Sequence, residues 1–327
     1  MPTLLDETER TLLAGRNIGR ETALALADYT DKAALYDLAN GIRRHFMGDR
    51  FDACAIINAK SGGCTEDCRF CAQSARYAAG APVYPFVDEA QALRMACDFE
   101  AHGVERIGLV TSGRTLTERT LASLEGLFSK IARETRLYLC ASAGLLNEEH
   151  ITRLIAAGLK RCHCNLEACQ RYFPQVCTTH TWEEKAATLK LARAHGLALC
   201  SGGIIGMGES IADRIDLALE LRELGVMSIA FNVLTPIPGT PFEHMRPLPL
   251  DEVLTALAVF RLVNPRAVLR MCGGRQQFGS DQYRCFTAGA NGAIVGNYLT
   301  TNGSELTEDM ARIRGLGFTL PGERDRG

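Results

Sequence analysis

The chain has 327 residues, of which 46% are hydrophobic, 23% charged and 7% aromatic, and its formal net charge is -2. This length and composition are typical of a globular protein with a large core. The near balance of charge argues against nucleic-acid or membrane-surface binding, which would depend on a basic field. No run approaches the ~18 apolar residues of a membrane span. We therefore expect no nucleic-acid partner and no membrane contact.

Thirteen cysteines are the one unusual count in the composition. The opening residues, MPTLLDETER, show neither the basic nor the apolar region of a secretory signal. We therefore expect a cytoplasmic protein, in which reducing conditions keep cysteines as free thiols, core residues or metal ligands. Free cysteine also packs as a small hydrophobic residue. The position of each cysteine in the sequence must therefore decide whether it is a metal ligand or a core residue.

Apolar residues recur at helical spacing over residues 20–47, which predicts two helices that end at Gly48. Beyond them, strand-like and helix-like stretches alternate to the end of the chain. The predicted strands cover residues 51–58, 104–113, 136–144, 159–167, 197–204, 227–234, 266–273 and 292–297. The predicted helices cover residues 88–103, 116–134, 147–158, 181–196, 210–225, 250–264 and 275–288.

Repeated strand-helix units predict a parallel sheet, and eight of them favour a closed barrel over an open sheet. The predicted fold class is α/β, a single (β/α)8 TIM-type barrel with an N-terminal helical extension. The alternative is a Rossmann-like sheet, but no G-x-G-x-x-G follows the first strand. The predicted domains are the extension over 1–48, the barrel over 49–310 and a C-terminal tail over 311–327.

The loop after the first predicted strand reads SGGCTEDCRFCAQSARY, with Cys64, Cys68 and Cys71 in C-x3-C-x2-C spacing and Phe70 before the last cysteine. Barrel active sites lie in such loops. Three thiolates can hold three corners of a cubane iron-sulfur cluster and leave the fourth iron open, whereas electron-transfer clusters have four cysteine ligands. Zinc is the alternative, but structural zinc takes four ligands in paired spacings, and no second C-x2-C is present.

This spacing resembles the signature of the radical S-adenosylmethionine (SAM) enzymes, in which SAM binds the open iron. Further segments resemble the biotin synthase family over roughly residues 40–310: CHCNLEACQRYF, LCSGGIIGMGES, NVLTPIPGTPF, RMCGGRQQF and CFTAGANGAIVGNYLTT. The resemblance implies a radical SAM sulfurtransferase that converts dethiobiotin to biotin with sulfide from an auxiliary iron-sulfur cluster. It also implies a 4Fe-4S cluster, an electron donor such as flavodoxin or ferredoxin, and a homodimer.

The resemblance assigns SAM-binding roles to residues that follow several strands. Asn165 and Glu167 alternate with Leu166 and should point into the barrel mouth, although Glu167 stands where the family has aspartate. A helix-capping role is the alternative for this pair. The full set with cofactor roles is Phe70, Thr111, Ser112, Asn165, Glu167, Gly203 and Ile205. Without the resemblance, the glycine-rich segment around Gly203 would indicate only a turn.

For the substrate, the resemblance assigns Asn165 and Asn232 to the ureido ring and Thr300 with Thr301 to the carboxylate. Amides and hydroxyls are neutral donors and acceptors suited to such a ligand. Arg270 is placed near the substrate as well. Without the resemblance, the two asparagines and the two threonines would be read as turn or cap residues.

The auxiliary cluster of the family is held by three cysteines and an arginine. Cys140, Cys200 and Arg270 match three of these positions, but Gly108 stands where the third cysteine belongs. Cys272 shares inward parity with Arg270. We therefore expect Cys272, with Cys54 as the second choice, to replace the missing ligand, and such a set could hold a four-iron cluster. The alternative is that both fill the core. The remaining thiols and His163 are interpreted as structural: Cys97, Cys162, Cys164, Cys169, Cys177 and Cys285.

Two other functions stay open at this stage. A related radical SAM barrel enzyme, a maturase or an isomerase, would keep the three-cysteine loop without inserting sulfur. A zinc-stabilised or iron-storing binding barrel would perform no turnover.

Overall fold

Eight parallel strands close into a barrel in the order of the chain. The structure is a computed structural model that describes residues 2–296 and 306–320. The strands are β1 (Asp52–Lys60), β2 (Arg106–Thr111), β3 (Tyr138–Ser142), β4 (Arg161–His163), β5 (Ala198–Ile205), β6 (Ser228–Val233), β7 (Val268–Met271) and β8 (Gly292–Ile294). The predicted TIM-type barrel is confirmed, and the Rossmann alternative is wrong.

Helices surround the barrel and precede it. Three come before the first strand: α1 (Leu4–Leu13), α2 (Arg20–Ala27) and α3 (Lys32–Met47). The others are α4 (Glu89–Ala101), α5 (Glu118–Glu134), α6 (Glu148–Ala156), α7 (Trp182–Ala194), α8 (Ile211–Glu223), α9 (Leu250–Val263) and α10 (Leu306–Gly315). Side-chain caps begin several of them, as where Asn147 accepts a hydrogen bond from the His150 amide at the start of α6.

The N-terminal extension contains one helix more than the sequence predicted. A capping box begins α1, because Thr3 accepts from the Asp6 amide and the Asp6 carboxylate accepts from the Thr3 amide. That signal was present in the sequence. The extension packs on the barrel through α2, against α8 and α9, and through α3, against α9.

Two features differ from prediction near the C-terminal end of the chain. The segment Arg275–Thr287 is a 3₁₀ helix interrupted at Gly279 (φ 51°), not an α-helix. Helix α10 crosses the boundary predicted between residues 310 and 311. It is held to the barrel by a buried ion pair between Arg275 and Asp309.

The apolar core lies between the strands and the helices. Leu124, Phe128 and Ile131 of α5, for example, are fully buried against the outside of the barrel. The barrel interior holds thiols, a buried arginine and a cavity. Within the described residues, no helix is both long enough and apolar enough to cross a membrane.

Candidate active site

A cavity of about 290 Å³ lies inside the barrel. Every strand contributes to its lining, and so does the loop that follows β1. The lining residues with chemistry are Cys54, Cys71, Gln73, Cys140, Ser142, His163, Asn165, Cys200, Asn232, Arg270 and Cys272. Half of the site residues predicted from the sequence therefore meet around one space.

The cysteine loop folds back on itself beside this cavity. The Cys64 amide donates to the Gln73 carbonyl (3.1 Å), and the Cys71 amide donates to the Cys68 carbonyl (2.9 Å). Gly62 is left-handed (φ 71°), and a Cβ there would lie 2.6 Å from Val83 Cγ2. Glycine is therefore required for this fold of the loop, which carries the three partly buried cysteines.

Two residues predicted to bind SAM support the loop instead of lining the cavity. Ser112 Oγ donates to the Gly62 carbonyl (2.7 Å), and the Ser112 amide donates to the Lys60 carbonyl (3.0 Å). Thr111, at the end of β2, pairs with Lys60 of β1. Both residues are buried. Phe70 does line the cavity, and it packs on the small apolar cluster that contains Met207 and Phe242.

The loop between β4 and α7 is tied closely to the cysteine loop. Asp67 accepts hydrogen bonds from the Thr178 amide (2.9 Å) and from the thiol of Cys177 (3.1 Å). Cys177 Sγ lies 3.7 Å from Cys68 Sγ and 3.3 Å from His180 Nδ1. Because 109 residues separate Cys68 from Cys177, no local spacing could have revealed this contact. The interpretation of Cys177 from the sequence did not foresee it.

The surroundings raise the pKa of two loop thiols, Cys71 and Cys68. Burial raises the pKa of Cys71 to about 11, with smaller contributions from Cys64 and Glu167. A hydrogen bond with Cys177, together with burial, raises the pKa of Cys68 further. Thiols in this state become thiolates when a metal binds them.

The predicted fourth strand is shorter than expected, and this changes the account of Asn165 and Glu167. Strand β4 ends at His163. Asn165 still lines the cavity, and its Oδ1 atom is buried without a partner among the described residues. Glu167 has φ 69°, an uncommon conformation for this residue type, and its amide donates to the Gly202 carbonyl (3.0 Å).

The Glu167 side chain faces a buried cation that the sequence analysis did not single out. Lys185 Nζ lies 4.0 Å from Glu167 Oε1, while Glu167 Oε2 is buried without a partner among the described residues. Burial lowers the pKa of Lys185, but Cys164 and Glu167 outweigh it, so the net shift is upward. Lys185 lies at the end of the first turn of α7, and no motif in the sequence marks it.

Gly203 and Ile205, which the resemblance assigns to SAM, are not among the residues that line the cavity. A Cβ at Gly203 would lie 2.4 Å from the Glu167 carbonyl oxygen, so this glycine permits the close approach of Glu167 to β5. The side chain of Ile205 is buried in the outer core, and Ile204 lines the cavity in its place. The Ile205 carbonyl accepts from the Leu234 amide (2.9 Å).

Four buried thiols from different strands face the deep part of the cavity: Cys54, Cys140, Cys200 and Cys272. Gly108, opposite Cys140 in the β2–β3 register, lines the same cavity with no side chain. Cys200 differs from the other three. Burial raises its pKa, but His163, 3.2 Å away, and Arg270 outweigh burial and lower the pKa to about 6.

His163, interpreted from the sequence as a structural histidine, also faces the cavity. Its Nδ1 atom contacts the thiol of Cys200, and its ring lines the cavity. The alternation of side chains along a strand could have indicated this position of His163. His163 and Asn165 are two residues apart, and both are partly buried, whereas the residues beside them are buried.

Arg270 lies at the bottom of the cavity within a buried charge network. It forms an ion pair with Asp52 and donates to Ser228 Oγ (3.0 Å) and to Cys200 Sγ (3.5 Å). Asp52 also pairs with Arg106 Nε (2.7 Å). Arg270 Nε is buried without a partner among the described residues.

Asn232 is already engaged by the backbone. Its Nδ2 atom donates to the Gly203 carbonyl (3.0 Å), and its Oδ1 atom accepts from the Gly273 amide (2.9 Å). The side chain therefore links the ends of β5 and β7 while it lines the cavity. Thr300 and Thr301 lie outside the described residues.

Comparisons with known proteins agree with this geometry. The family profile of the Radical SAM superfamily matches residues 59–221, and that of the Biotin and Thiamin Synthesis associated domain matches residues 230–319. Among solved structures, methylornithine synthase aligns with a TM-score of 0.83 over 99% of this chain and 98% of its own, at 18% identity. A FeFe-hydrogenase maturase from Carboxydothermus hydrogenoformans aligns at 0.80 over 96% and 78%, at 15% identity. These two likenesses show the fold alone.

The barrel and its cysteine loop thus place the chain in the radical SAM superfamily. Two curated biotin synthases narrow the assignment: that of Heliobacterium modesticaldum is 46% identical over 98% of this chain and 99% of its own length, and that of Acetivibrio thermocellus is 45% identical over 95% and 98%. The chain belongs to the biotin synthase family.

Proposed function

We propose that this chain converts dethiobiotin to biotin, with a 4Fe-4S cluster on Cys64, Cys68 and Cys71, with SAM, and with sulfide from an auxiliary cluster. One observation carries the proposal. The cysteine loop and four further buried thiols face a single cavity. A radical enzyme without sulfur insertion needs the loop but has no use for a second group of thiols.

The residues present fit these groups. Soft thiolates suit iron-sulfur clusters. The unpartnered Asn165 Oδ1 and Glu167 Oε2 atoms are buried acceptors, which can take hydrogen bonds from an amide or from ribose hydroxyls. The buried ammonium of Lys185 supplies positive charge for a carboxylate ligand. When bound, the cluster and SAM supply the radical chemistry.

The chain's own residues position the substrate and exclude water. Asn165 has the available acceptor and is the residue we assign to the ureido ring. Asn232 acts by fixing the strand ends through its two backbone contacts. The roles of Thr300 and Thr301 at the carboxylate remain predictions. The walls of the cavity are mostly apolar, with side chains such as Ile56, Val110 and Ile294, and this restricts solvent around the reacting carbon.

For the auxiliary cluster we propose Cys140, Cys200, Cys272 and Cys54 as ligands. Each is buried, and all four line the deep cavity beside Arg270. Arg270 is already held by Asp52 and Ser228. We therefore propose that Arg270 orients Cys200 and balances the negative charge of the thiolates, and that the thiols alone bind the cluster.

The test is anaerobic reconstitution followed by incubation with SAM, a reductant and dethiobiotin. We expect iron, 5'-deoxyadenosine and biotin, and the last two should be absent from Cys64→Ala. Cys97→Ala is the matched control, because Cys97 is exposed on α4, and it should retain both products. A metal-free preparation that takes up no iron on reconstitution would contradict the proposal.

A second candidate is a radical enzyme of the same superfamily that inserts no sulfur. Gly108 favours it, because it removes one expected cluster ligand. Iron near four per chain with no biotin would support this candidate, whereas about eight would indicate a second four-iron cluster.

We propose further that the protein is a cytoplasmic homodimer that receives electrons from a flavodoxin or ferredoxin. The support is family membership and a modest net charge. Light scattering of the loaded protein measures the assembly state. Replacing a chemical reductant with purified flavodoxin or ferredoxin in the biotin assay tests the donor.

A further inference from the structure

The contact between the cysteine loop and the β4–α7 loop brings Cys68 beside two side chains, Cys177 and His180, to which no role has yet been assigned. Within the described residues, one place brings three candidate metal ligands within 4.8 Å of one another: Cys68, Cys177 and His180. Cys177 and His180 are 3% and 8% exposed. Cys68 is partly exposed, which leaves the group accessible from one side.

Two of the three separations match those around a tetrahedral zinc ion, and the third, between Cys68 and His180, is within 4.8 Å. Zinc-sulfur and zinc-nitrogen bonds of about 2.3 and 2.0 Å at tetrahedral angles put two sulfurs ~3.8 Å apart and a sulfur and a nitrogen ~3.5 Å apart. The observed separations are 3.7 Å for Cys68 Sγ to Cys177 Sγ and 3.3 Å for Cys177 Sγ to His180 Nδ1. The two sulfurs are too far apart for a disulfide, which needs about 2.05 Å.

The surroundings supply both a fourth ligand and rigidity. Asp67 Oδ1 lies 3.1 Å from Cys177 Sγ, and Glu66 Oε2 lies 2.6 Å from His180 Nδ1. Asp67, or water, can complete the site, while Glu66 accepts the His180 Nδ1 proton that must leave when this nitrogen binds a metal. Amides of Thr178 and Thr179 donate to Asp67, so the carboxylate is held in place before any metal arrives.

We propose that Cys68, Cys177 and His180 form a binding site for a thiophilic divalent cation such as zinc in the cluster-free protein. The site itself does not depend on the proposed function. Its consequence does, because Cys68 cannot serve this site and the 4Fe-4S cluster at once. Zinc binding and cluster loading therefore exclude each other through one thiol.

Cobalt titration of the full-length, cluster-free protein under anaerobic, reducing conditions tests the site. We expect a thiolate-to-cobalt charge-transfer band with tetrahedral visible bands, displaced by zinc. Since loss of an outer partner alone costs about 10- to 100-fold in metal affinity, Cys177→Ala should weaken this binding by on the order of 100-fold or more. His180→Asn is the second variant in case Cys177→Ala does not fold, as judged by circular dichroism.

Two controls locate the metal. Cys64→Ala removes a thiol of the three-cysteine loop and should leave the cobalt site intact. Cys169→Ala removes a buried thiol that contacts Asp213 elsewhere and should do the same. Retention of the cobalt spectrum in both Cys177→Ala and His180→Asn, or its loss in Cys64→Ala, would overturn the site. Recovery of a Cys68–Cys177 disulfide in place of bound metal would overturn it as well.

A second measurement separates this inference from the proposed function. Zinc added before iron and sulfide should slow iron uptake by the wild type and not by Cys177→Ala. If cobalt binds as expected but zinc leaves iron uptake unchanged, the competition is overturned, and with it the assignment of Cys68 to the cluster.

Discussion

Asp52 balances the charge inside the barrel. Its side chain is 5% exposed, and it pairs with both Arg270 and Arg106. Burial would raise its pKa, but the two arginines outweigh burial and lower it. Two buried guanidinium groups thus depend on a single carboxylate, and its removal would leave them without their acidic partner.

Asp52→Asn should therefore lower the free energy of unfolding at pH 7 by about 3–5 kcal/mol, as for other broken buried pairs. Because the folded pKa lies below the unfolded value, this stabilisation is present above about pH 4 and is lost as the pH falls through the folded pKa. Urea unfolding between pH 7 and pH 3 should show the two proteins converging at low pH. Asp49→Asn is the control, because Asp49 is 61% exposed in its pair with Arg43, and it should change stability by less than about 1 kcal/mol.

Cys272 lies directly after β7, is 2% exposed and lines the cavity with Arg270. Cys272→Ala should lower the iron content and abolish biotin formation while 5'-deoxyadenosine production continues, because the three-cysteine loop is untouched. Cys162→Ala is the control, since this buried thiol belongs to the outer core, and it should retain biotin formation. Full iron content with normal biotin formation in Cys272→Ala would make Cys272 a core residue.

Among the structural elements, those marked by a residue pattern within a short stretch of sequence could be predicted. The alternation of strands and helices and the three-cysteine loop are encoded over short stretches, so the barrel and the primary cluster site were predicted. The roles of Cys177 and Lys185 arise where distant segments meet, and the sequence offers no spacing for such contacts. The segment Arg275–Thr287 was mistaken for an α-helix because its breaking point, Gly279, is a single residue within a helix-like pattern.

The close approach of β5 to the segment after β4 is possible because Gly203 has no Cβ atom. A Cβ at Gly203 would lie 2.4 Å from the Glu167 carbonyl oxygen and 2.6 Å from Leu217 Cδ2. Gly203→Ala should cost about 1–3 kcal/mol of stability and weaken SAM binding by displacing Glu167. Chemical unfolding and equilibrium dialysis measure the two effects.

The control is Gly126→Ala in α5, where a Cβ meets nothing within 4 Å. This variant should instead stabilise the protein by about 0.5–1 kcal/mol. Unchanged SAM affinity in Gly203→Ala would show that Glu167 does not bind it.

In the molecule as a whole, the apolar core forms a layer between the strands and the helices, while the barrel axis carries thiols, charges and a cavity. The interior of the barrel therefore contributes less apolar burial than a filled barrel would. The unpartnered Asn165 Oδ1, Glu167 Oε2 and Arg270 Nε atoms add a cost. Ligands that satisfy these atoms should stabilise the whole fold.

SAM at about 100 times its dissociation constant should add about 2.7 kcal/mol to the stability of the cluster-loaded protein, because it binds the folded state alone. That corresponds to a rise of a few degrees in Tm, measurable by anaerobic calorimetry. The rise should be lost in Cys64→Ala, which cannot hold the cluster, and reduced in Glu167→Gln, which keeps the shape but loses the charge. Glu308→Gln, on the exposed side of α10, should keep the full rise. An equal rise in Cys64→Ala would mean that SAM binds this barrel away from the cysteine loop.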